Sequence, residues 1–266
     1  AAKARRITAE SLSERLDIAN PHDEIGQLGT VFNATLARLE ASFAQLRNFT
    51  ADASHQLRSP LAAIRTVGES GMREARTVDQ CRDVIASMLE ESDRLAAIID
   101  QLLVLTRAES GQVPLSRERL NLRELVAETV DTLLPLVEER GLEIECRYEA
   151  DAHVLADETI IRQALINVVH NAISYTLAPG RIMVTVAEAD RRPVVRVADT
   201  GPGISPDQRE RIFDRFFRGS AGKETAGTGL GLPIARWAME VHGGRLDLLE
   251  TSPAGSTFQL MFPEEE

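Results

Sequence analysis

A histidine on a helix is the first group in this chain that could act as a nucleophile. Residues 49–65 carry apolar side chains at helical spacing on one face, and His55 falls roughly opposite the middle of that face. Pro60 removes one backbone hydrogen bond, so the helix is expected to bend there. The pattern predicts an exposed imidazole on a helix that can meet a second domain. A solvated surface histidine is the alternative that this residue alone leaves open.

Two asparagines in another apolar segment have the chemistry of metal ligands. Asn167 and Asn171 are four residues apart, so they point the same way on a helix. An amide carbonyl is a hard oxygen ligand of the kind that Mg²⁺ prefers. A plain polar helix face is the other explanation of the same spacing.

Two glycine-containing segments favour a nucleotide site. Asp199 ends a strand-like run, where a carboxylate can accept a hydrogen bond from the amine of adenine, and the glycines after it let a flat ring approach the backbone. Residues 227–232, GTGLGL, open a helix whose first amides can bind phosphate. Each segment is a weak signal by itself, because Asp-Thr-Gly also makes ordinary turns.

Cations near these glycines could reach phosphate. The planar guanidinium groups of Arg215 and Arg218 can bind it in a bidentate manner, or they can be solvated charges. The segment 220–226 is small and polar, with Lys223 as its only cation.

Long amphipathic helices make up the first part of the chain. Helical spacing runs from Ile25 to about Ser70, where Gly71 is expected to end the helix, and a second helix is expected from Val78 to about Glu109. One such hairpin cannot bury both apolar stripes. The pattern therefore predicts a homodimer in which two hairpins form a four-helix bundle.

The pattern changes after residue 111, where strand-like and helix-like segments alternate. Asn121 and Asp157 are expected to cap helices that end near Arg140 and Tyr175, and a last helix is expected over 232–242. The alternation predicts one α/β layer domain, a sheet covered by helices. Strands are predicted over 143–148, 182–186, 194–197, 245–249 and 257–262.

Composition sets further bounds. The 266 residues suffice for about two domains, and the net charge of −11 gives no electrostatic support to nucleic-acid binding. Cys81 and Cys146 lie far apart without metal-ligand spacing, and both are expected to be buried thiols. No run approaches the roughly 20 apolar residues of a membrane helix.

Residues 54–61, SHQLRSPL, resemble the phosphoacceptor box of the sensor histidine kinases. Further boxes that resemble that family follow in order, at 167–172, 199–203, 211–219, 227–232 and 255–258. Residues 23–26 and 32–33 resemble the second half of a HAMP linker, although an amphipathic coiled-coil lead-in explains them equally well. The resemblance implies a partial HAMP linker at 1–45, a dimerisation and phosphotransfer domain at 46–110, and a GHKL-type ATP-binding domain with a mixed sheet at 111–266.

The resemblance also implies ATP and Mg²⁺ as cofactors. Asn171 would be the metal ligand, joined by Asn167, with Asn167 and His170 near the phosphates. Asp199 would recognise adenine, with Thr257 on the same side. Ser174 occupies a position that is commonly Lys or Arg in this family, which removes one possible phosphate cation. The full set of nucleotide-contacting residues implied is Asn167, His170, Asn171, Tyr175, Asp199, Gly201, Gly203, Ile204, Arg215, Arg218, Lys223, Gly227, Thr228, Gly229, Leu230, Gly231, Leu232 and Thr257.

The implied reaction is ATP-dependent phosphorylation of His55, followed by transfer to an aspartate of a response regulator. Gln56 stands where most relatives carry Glu or Asp; it can orient the imidazole but brings no charge. Ser59 keeps a hydroxyl where relatives often place Thr or Asn, which leaves phosphatase action on the regulator open. The HAMP-like segment implies an upstream anchor and a place on the cytoplasmic side of a bacterial inner membrane.

Two rival functions remain open from the sequence. Gyrase-type and MutL-type ATPases resemble the same nucleotide-binding pattern, but their hydrolysis needs a glutamate base four residues before the metal asparagine. Asn167 occupies that position and cannot act as a base. A dimeric nucleotide-binding scaffold without phosphotransfer is the non-enzymatic alternative.

Overall fold

The structure is a computed structural model that describes residues 13, 15–16, 23–74, 76–109, 114–219 and 228–264. Two compact units, Ala1–Glu91 and Ser92–Glu266, divide the chain within its second helix. The domain boundaries expected from the sequence, at residues 45/46 and 110/111, stay predictions.

The first helix is longer than the sequence predicted. Helix α1 (Glu24–Glu74) begins after Asp23, whose Oδ1 accepts a hydrogen bond from the Gly26 N–H at 2.6 Å, and it continues through Pro60. The expectation that Gly71 ends this helix is wrong. A Cβ at Gly71 would lie 2.5 Å from Val84 Cγ1, so the glycine allows the next helix to approach closely instead of ending its own.

Helix α2 (Val78–Glu109) completes the predicted hairpin. Its start is fixed by Thr77, which accepts from the Gln80 N–H at 3.2 Å, while the Gln80 side chain accepts from the Arg76 and Thr77 N–H groups. This reciprocal arrangement satisfies amides that have no partner within the helix. Cys81 is exposed, so the expectation of a buried thiol is wrong there, while Cys146 is half-buried.

Two sheets and three helices form the rest of the chain. Strand β1 (Glu118–Asn121) pairs antiparallel with β3 (His153–Ala156) in a small sheet that the sequence pattern did not predict. The main sheet has the strand order β2-β4-β5-β7-β6, in which only β2 and β4 are parallel. Its strands are β2 (Leu142–Tyr148), β4 (Gly180–Ala189), β5 (Arg192–Asp199), β6 (Arg245–Ser252) and β7 (Gly255–Met261).

Helices α3 (Leu122–Glu139), α4 (Glu158–Tyr175) and α5 (Gly231–Val241) pack on this sheet. The predicted caps are confirmed, since the side chain of Asn121 accepts from two amides of α3 and Asp157 accepts from the Ile160 N–H. Side chains of all three helices join those of the strands in one apolar core. The predicted two-layer α/β sandwich with a mixed sheet is therefore confirmed.

The buried His242 connects the end of α5 to the start of α4 through hydrogen bonds. His242 follows α5, and its Nε2 accepts a hydrogen bond from the Asp157 N–H at 3.0 Å, while its Nδ1 lies 2.7 Å from the Ala238 carbonyl oxygen. The pair of contacts requires a neutral ring that carries its proton on Nδ1. Burial lowers the pKa of His242, which favours that neutral form.

Candidate functional site

His55 stands on the solvent side of α1. Its side chain is exposed, as is that of Ser59, while Gln56 is half-buried. The Ser54 hydroxyl donates to the Thr50 carbonyl one turn earlier, so this hydroxyl proton has a hydrogen-bond acceptor within the helix. The predicted exposure of the imidazole is confirmed, and its role as phosphoacceptor stays a prediction.

A cleft of about 380 Å³ lies beside α4 and the start of α5. That volume falls within the range typical of small-molecule sites. The structure brings residues from six separate sequence segments to its walls. The predicted site residues among them are Asn167, His170, Asn171, Tyr175, Asp199, Gly203, Ile204, Thr228, Gly229, Gly231 and Leu232.

Asp199 has the geometry of a base-recognising carboxylate. Its Oδ1 accepts hydrogen bonds from the Gly201 N–H at 2.8 Å and from the Ser256 N–H at 3.3 Å. Burial raises the pKa of this carboxyl, and the two amides partly oppose that rise. Within the described part of the chain both hydrogen bonds go to Oδ1, so Oδ2 can accept from a ligand.

Asn167 carries a polar atom that needs a partner. The side chain is 7% exposed, and its Oδ1 accepts from Gln163 Nε2 at 3.3 Å. Its Nδ2 is buried and has no hydrogen-bond partner among the described residues. A buried donor left unpaired costs about 1–3 kcal/mol. Because Asn167 lines the cleft beside Gly231 at the start of α5, an acceptor on a bound ligand would satisfy it.

His170 lies in the same cleft as a neutral ring. Desolvation lowers its pKa, and the positive charge of Arg140 lowers it further. Its Nδ1 lies 3.4 Å from the Ser174 hydroxyl. His170 can therefore exchange neutral hydrogen bonds with a ligand at pH 7 but adds no positive charge to the cleft.

Gly229 holds the glycine segment against the segment before it. The Phe216 N–H donates to the Gly229 carbonyl at 2.9 Å. Gly229 has a φ of 71°, and a Cβ there would lie 2.7 Å from the Phe216 carbonyl carbon. Only glycine fits both the conformation and the space. The contact fixes the backbone where the sequence predicted a phosphate cradle.

Models of three protein families match this chain. The HAMP domain model matches residues 1–41, and the His Kinase A (phospho-acceptor) domain model matches residues 45–111. The model of histidine kinase-, DNA gyrase B- and HSP90-like ATPases matches residues 156–266. The sensor protein IrlS of Burkholderia pseudomallei is 32% identical over 264 residues, which are 98% of this chain and 56% of IrlS. The chain belongs to the sensor histidine kinase family. It spans about half the length of the curated relatives that it matches.

Solved structures of histidine kinases share this fold. The catalytic domain of the histidine kinase ThkA is 33% identical with a TM-score of 0.51, and the match covers 56% of this chain and 96% of that one. ThkA in complex with the response regulator protein TrrA is 27% identical with a TM-score of 0.67, covering 91% and 68%. Full-length ShkA in complex with AMPPNP is 29% identical with a TM-score of 0.62, covering 80% and 45%.

Several residues that the family resemblance implied do not line the cleft of this histidine kinase. They are Gly201, Arg215, Arg218, Leu230 and Thr257. Leu230 is fully buried against Ile234, and Gly201 contacts Asp199 by donating its N–H to the carboxylate. Ser256 and Phe258 line the cleft, so Thr257 between them faces the other side of β7. Lys223 and Gly227 lie outside the described residues.

An apolar wall and a helical wall of the cleft were not predicted from the sequence. Ile212, Phe217 and Phe258 supply apolar surface, and Phe213 packs edge-on against Phe258 with ring centroids 6.5 Å apart. The helical wall comes from Arg94, Ala97 and Gln101 of α2. Their spacing of three and four residues, off the apolar stripe of that helix, is a signal that could have found them.

The described residues lack two further features. No group of three or more His, Cys, Asp or Glu side chains there could hold a metal ion. None of the helices in the described part of the chain is both long enough and apolar enough to cross a bilayer.

Proposed function

We propose that this chain is the catalytic region of a sensor histidine kinase, which phosphorylates His55 from ATP and passes the phosphoryl group to an aspartate of a response regulator. The observation that carries the proposal is the cleft, where the buried Asn167 Nδ2 has no partner in the part of the chain that the structure describes and Asp199 Oδ2 can accept. These groups lie in a cavity sized for a small molecule. The exposed imidazole of His55 supplies a nucleophile in the same chain.

The transfer step follows from these groups. The unprotonated ring nitrogen of His55 attacks the γ-phosphorus, the bond from that phosphorus to the β–γ bridging oxygen breaks, and ADP leaves with the electron pair. The product phosphoimidazolium loses its proton to solvent. A partner aspartate oxygen then attacks the same phosphorus, the bond from phosphorus to the ring nitrogen breaks, and the ring takes up a proton from solvent to regenerate the imidazole. Positioning and charge stabilisation dominate such reactions, so the cleft residues act by holding the nucleotide.

Magnesium fits the donors present in the cleft. Asn171 and Asn167 both line it, and amide oxygens are ligands that Mg²⁺ accepts together with waters and phosphate. The ion would neutralise charge on the phosphates when bound. Asn171 is the side chain proposed to hold it, because Asn167 Oδ1 already accepts from Gln163.

Association of two chains follows from the hairpin surface. Apolar side chains of the first compact unit stay exposed in a single chain, among them Leu61 at 53%, Ile85 at 56% and Leu89 at 59%. A second hairpin would cover such a surface, as in a four-helix bundle. The HAMP match supports a position on the cytoplasmic side of a membrane, reached through an upstream anchor.

Labelling with ATP that carries a radioactive γ-phosphate tests the function. The wild-type chain is expected to gain an acid-labile, alkali-stable label, and His55→Ala is expected to gain none while it binds ATP unchanged. Release of inorganic phosphate is measured in parallel, because turnover without label would indicate an ATPase. Acid-labile label on the His55→Ala variant would overturn the proposal.

A further inference from the structure

One wall of the nucleotide cleft comes from α2. Arg94, Ala97 and Gln101 line the cleft, and their spacing places them on one face of that helix. They belong to the same compact unit as the residues around Asn167 and Asp199. The cleft thus has a side that lies outside the matched ATPase segment 156–266.

Two kinds of contact hold α2 in this place. The Thr228 hydroxyl donates to Gln101 Oε1 at 2.7 Å, and it accepts from the Leu230 N–H at 3.3 Å. Leu102 and Val104 pack on the buried pair Leu230 and Ile234. The helix is therefore attached at the start of α5, where the backbone amides predicted to bind phosphate lie.

The described lining of the cleft is short of positive charge. Among the described residues that line it, Arg94 is the only arginine or lysine. Ser174 lines the cleft where relatives commonly carry a cation. A nucleoside triphosphate carries several negative charges, and a guanidinium is suited to bind its oxygens in a bidentate manner.

We propose that Arg94 of α2 binds the phosphates of the nucleotide and supplies the positive charge that Ser174 does not. The inference rests on the proposed function, since it takes ATP as the ligand of the cleft. It makes the part of α2 that follows Glu91 a part of the nucleotide site. Gln101 acts as a positioning residue, because it holds the glycine segment through Thr228 and does not itself need to touch the ligand.

Equilibrium binding of ATP and of adenosine to the full chain tests the role of Arg94. Arg94→Ala is expected to weaken ATP binding by about tenfold, the loss typical of one hydrogen-bonded charge, and to leave adenosine binding within about twofold. The salt dependence of ATP binding is expected to become shallower. Arg82→Ala is the matched control, because Arg82 lies on the same helix, pairs with Asp79 and does not line the cleft.

A rescue variant separates charge from structure. Ser174→Lys in the Arg94→Ala background is expected to recover most of the lost ATP affinity, because it returns a cation to the same cleft. Equal losses for ATP and adenosine, an unchanged ATP affinity, or an equal loss in Arg82→Ala would each overturn the inference. Failure of the proposed function is distinguishable, because the wild-type chain itself would then neither bind ATP nor label His55.

Discussion

The phosphoacceptor segment and the nucleotide cleft are built in opposite ways. Residues 54–61 form an uninterrupted stretch of one helix, and the reactive side chain His55 is exposed. The cleft takes its walls from α2, α4, the end of β5, the segment 208–219, the start of α5 and β7. One site is local in the sequence, whereas the other exists only after distant segments pack together.

This difference decides what surrounds each functional group. Burial raises the pKa of the Asp199 carboxyl, while desolvation and the charge of Arg140 lower the pKa of the His170 imidazole. The exposed His55 presents its ring to whatever approaches it. Substitutions in the acceptor segment are therefore expected to change the chemical step alone, while substitutions in or behind the cleft change nucleotide affinity or folding as well.

Apart from substitutions of His55 itself, Asp199→Asn is expected to have the largest effect, which is a loss of ATP affinity. The substituted amide can place its oxygen on the Gly201 and Ser256 amides, but its NH₂ then faces the amine of adenine and cannot accept from it. ATP affinity is expected to fall by about thirtyfold, the equivalent of one charged hydrogen bond. Isothermal titration of the full chain with ATP measures the loss.

Asp190→Asn is the matched control for that measurement. Asp190 is exposed in the turn between β4 and β5 with a φ of 51°, a conformation that asparagine tolerates. The same loss of one negative charge there is expected to leave ATP binding unchanged. A fall of equal size in both variants would show that net charge, and not base recognition, governs affinity.

The next largest effect is expected on folding stability, from substitution of the buried His242. His242→Ala removes the acceptor for the Asp157 N–H and the contact with the Ala238 carbonyl, and it is expected to lower the free energy of unfolding by about 1–3 kcal/mol. Urea unfolding at pH 7.5 measures this change. His153→Ala is the control for loss of an imidazole at the edge of the domain. Equal destabilisation by both variants would contradict the role given to His242.

The same histidine predicts how stability depends on pH. Burial lowers the folded-state pKa of His242 below its ordinary value of about 6.5. The unfolded chain then binds more protons, so the stability is present above about pH 6.5 and is lost as the pH falls toward the folded-state pKa. His170 acts in the same direction. The free energy of unfolding of His242→Ala is therefore expected to depend less steeply on pH than that of the wild type. An unchanged slope would contradict this role of His242.

The sequence was sufficient where one element decides the structure. The exposure of His55, the caps at Asn121 and Asp157, and the helix that carries Asn167 and Asn171 follow from spacing and cap residues. The two-residue turn at Asp190 and Arg191 lies inside the connection predicted between two strands. These features depend on neighbours in the chain, which the sequence shows directly.

The features that were missed depend on partners far away in the chain. Gly71 continues its helix because Val84 packs against it, and no pattern around residue 71 records that contact. The short strand β1 is stable because β3 pairs with it 35 residues later. The wall formed by Arg94 and Gln101 needed the position of Thr228, which comes 127 residues after Gln101.

A smaller effect is expected in the acceptor segment. Gln56→Glu places a carboxylate beside the imidazole, where it can accept the ring proton and increase its basicity. The initial rate of phosphohistidine formation is expected to rise by about tenfold at saturating ATP, with ATP affinity unchanged. Single-turnover labelling measures the rate. A rate within twofold of wild type, or a change confined to ATP affinity, would show that this position does not tune the histidine.

The smallest effect is expected in the hairpin, where two glycines of one helix can be compared. A Cβ at Gly71 would meet Val84 Cγ1 at 2.5 Å, whereas a Cβ at Gly68 would lie 3.4 Å from the flexible end of Met88. Alanine favours a helix interior by about 1 kcal/mol over glycine, so Gly68→Ala is expected to stabilise the chain slightly.

Gly71→Ala gains the same helix propensity but has to displace Val84, and overpacking of this kind costs about 1–3 kcal/mol. The net expectation is destabilisation by about 1 kcal/mol, measured by thermal unfolding at a fixed chain concentration. Val84→Ala in the same chain is expected to relieve it, so the two substitutions should not be additive. If Gly71→Ala and Gly68→Ala stabilise equally, close approach of α1 and α2 does not explain why residue 71 is glycine, and the hairpin is governed by local propensity alone.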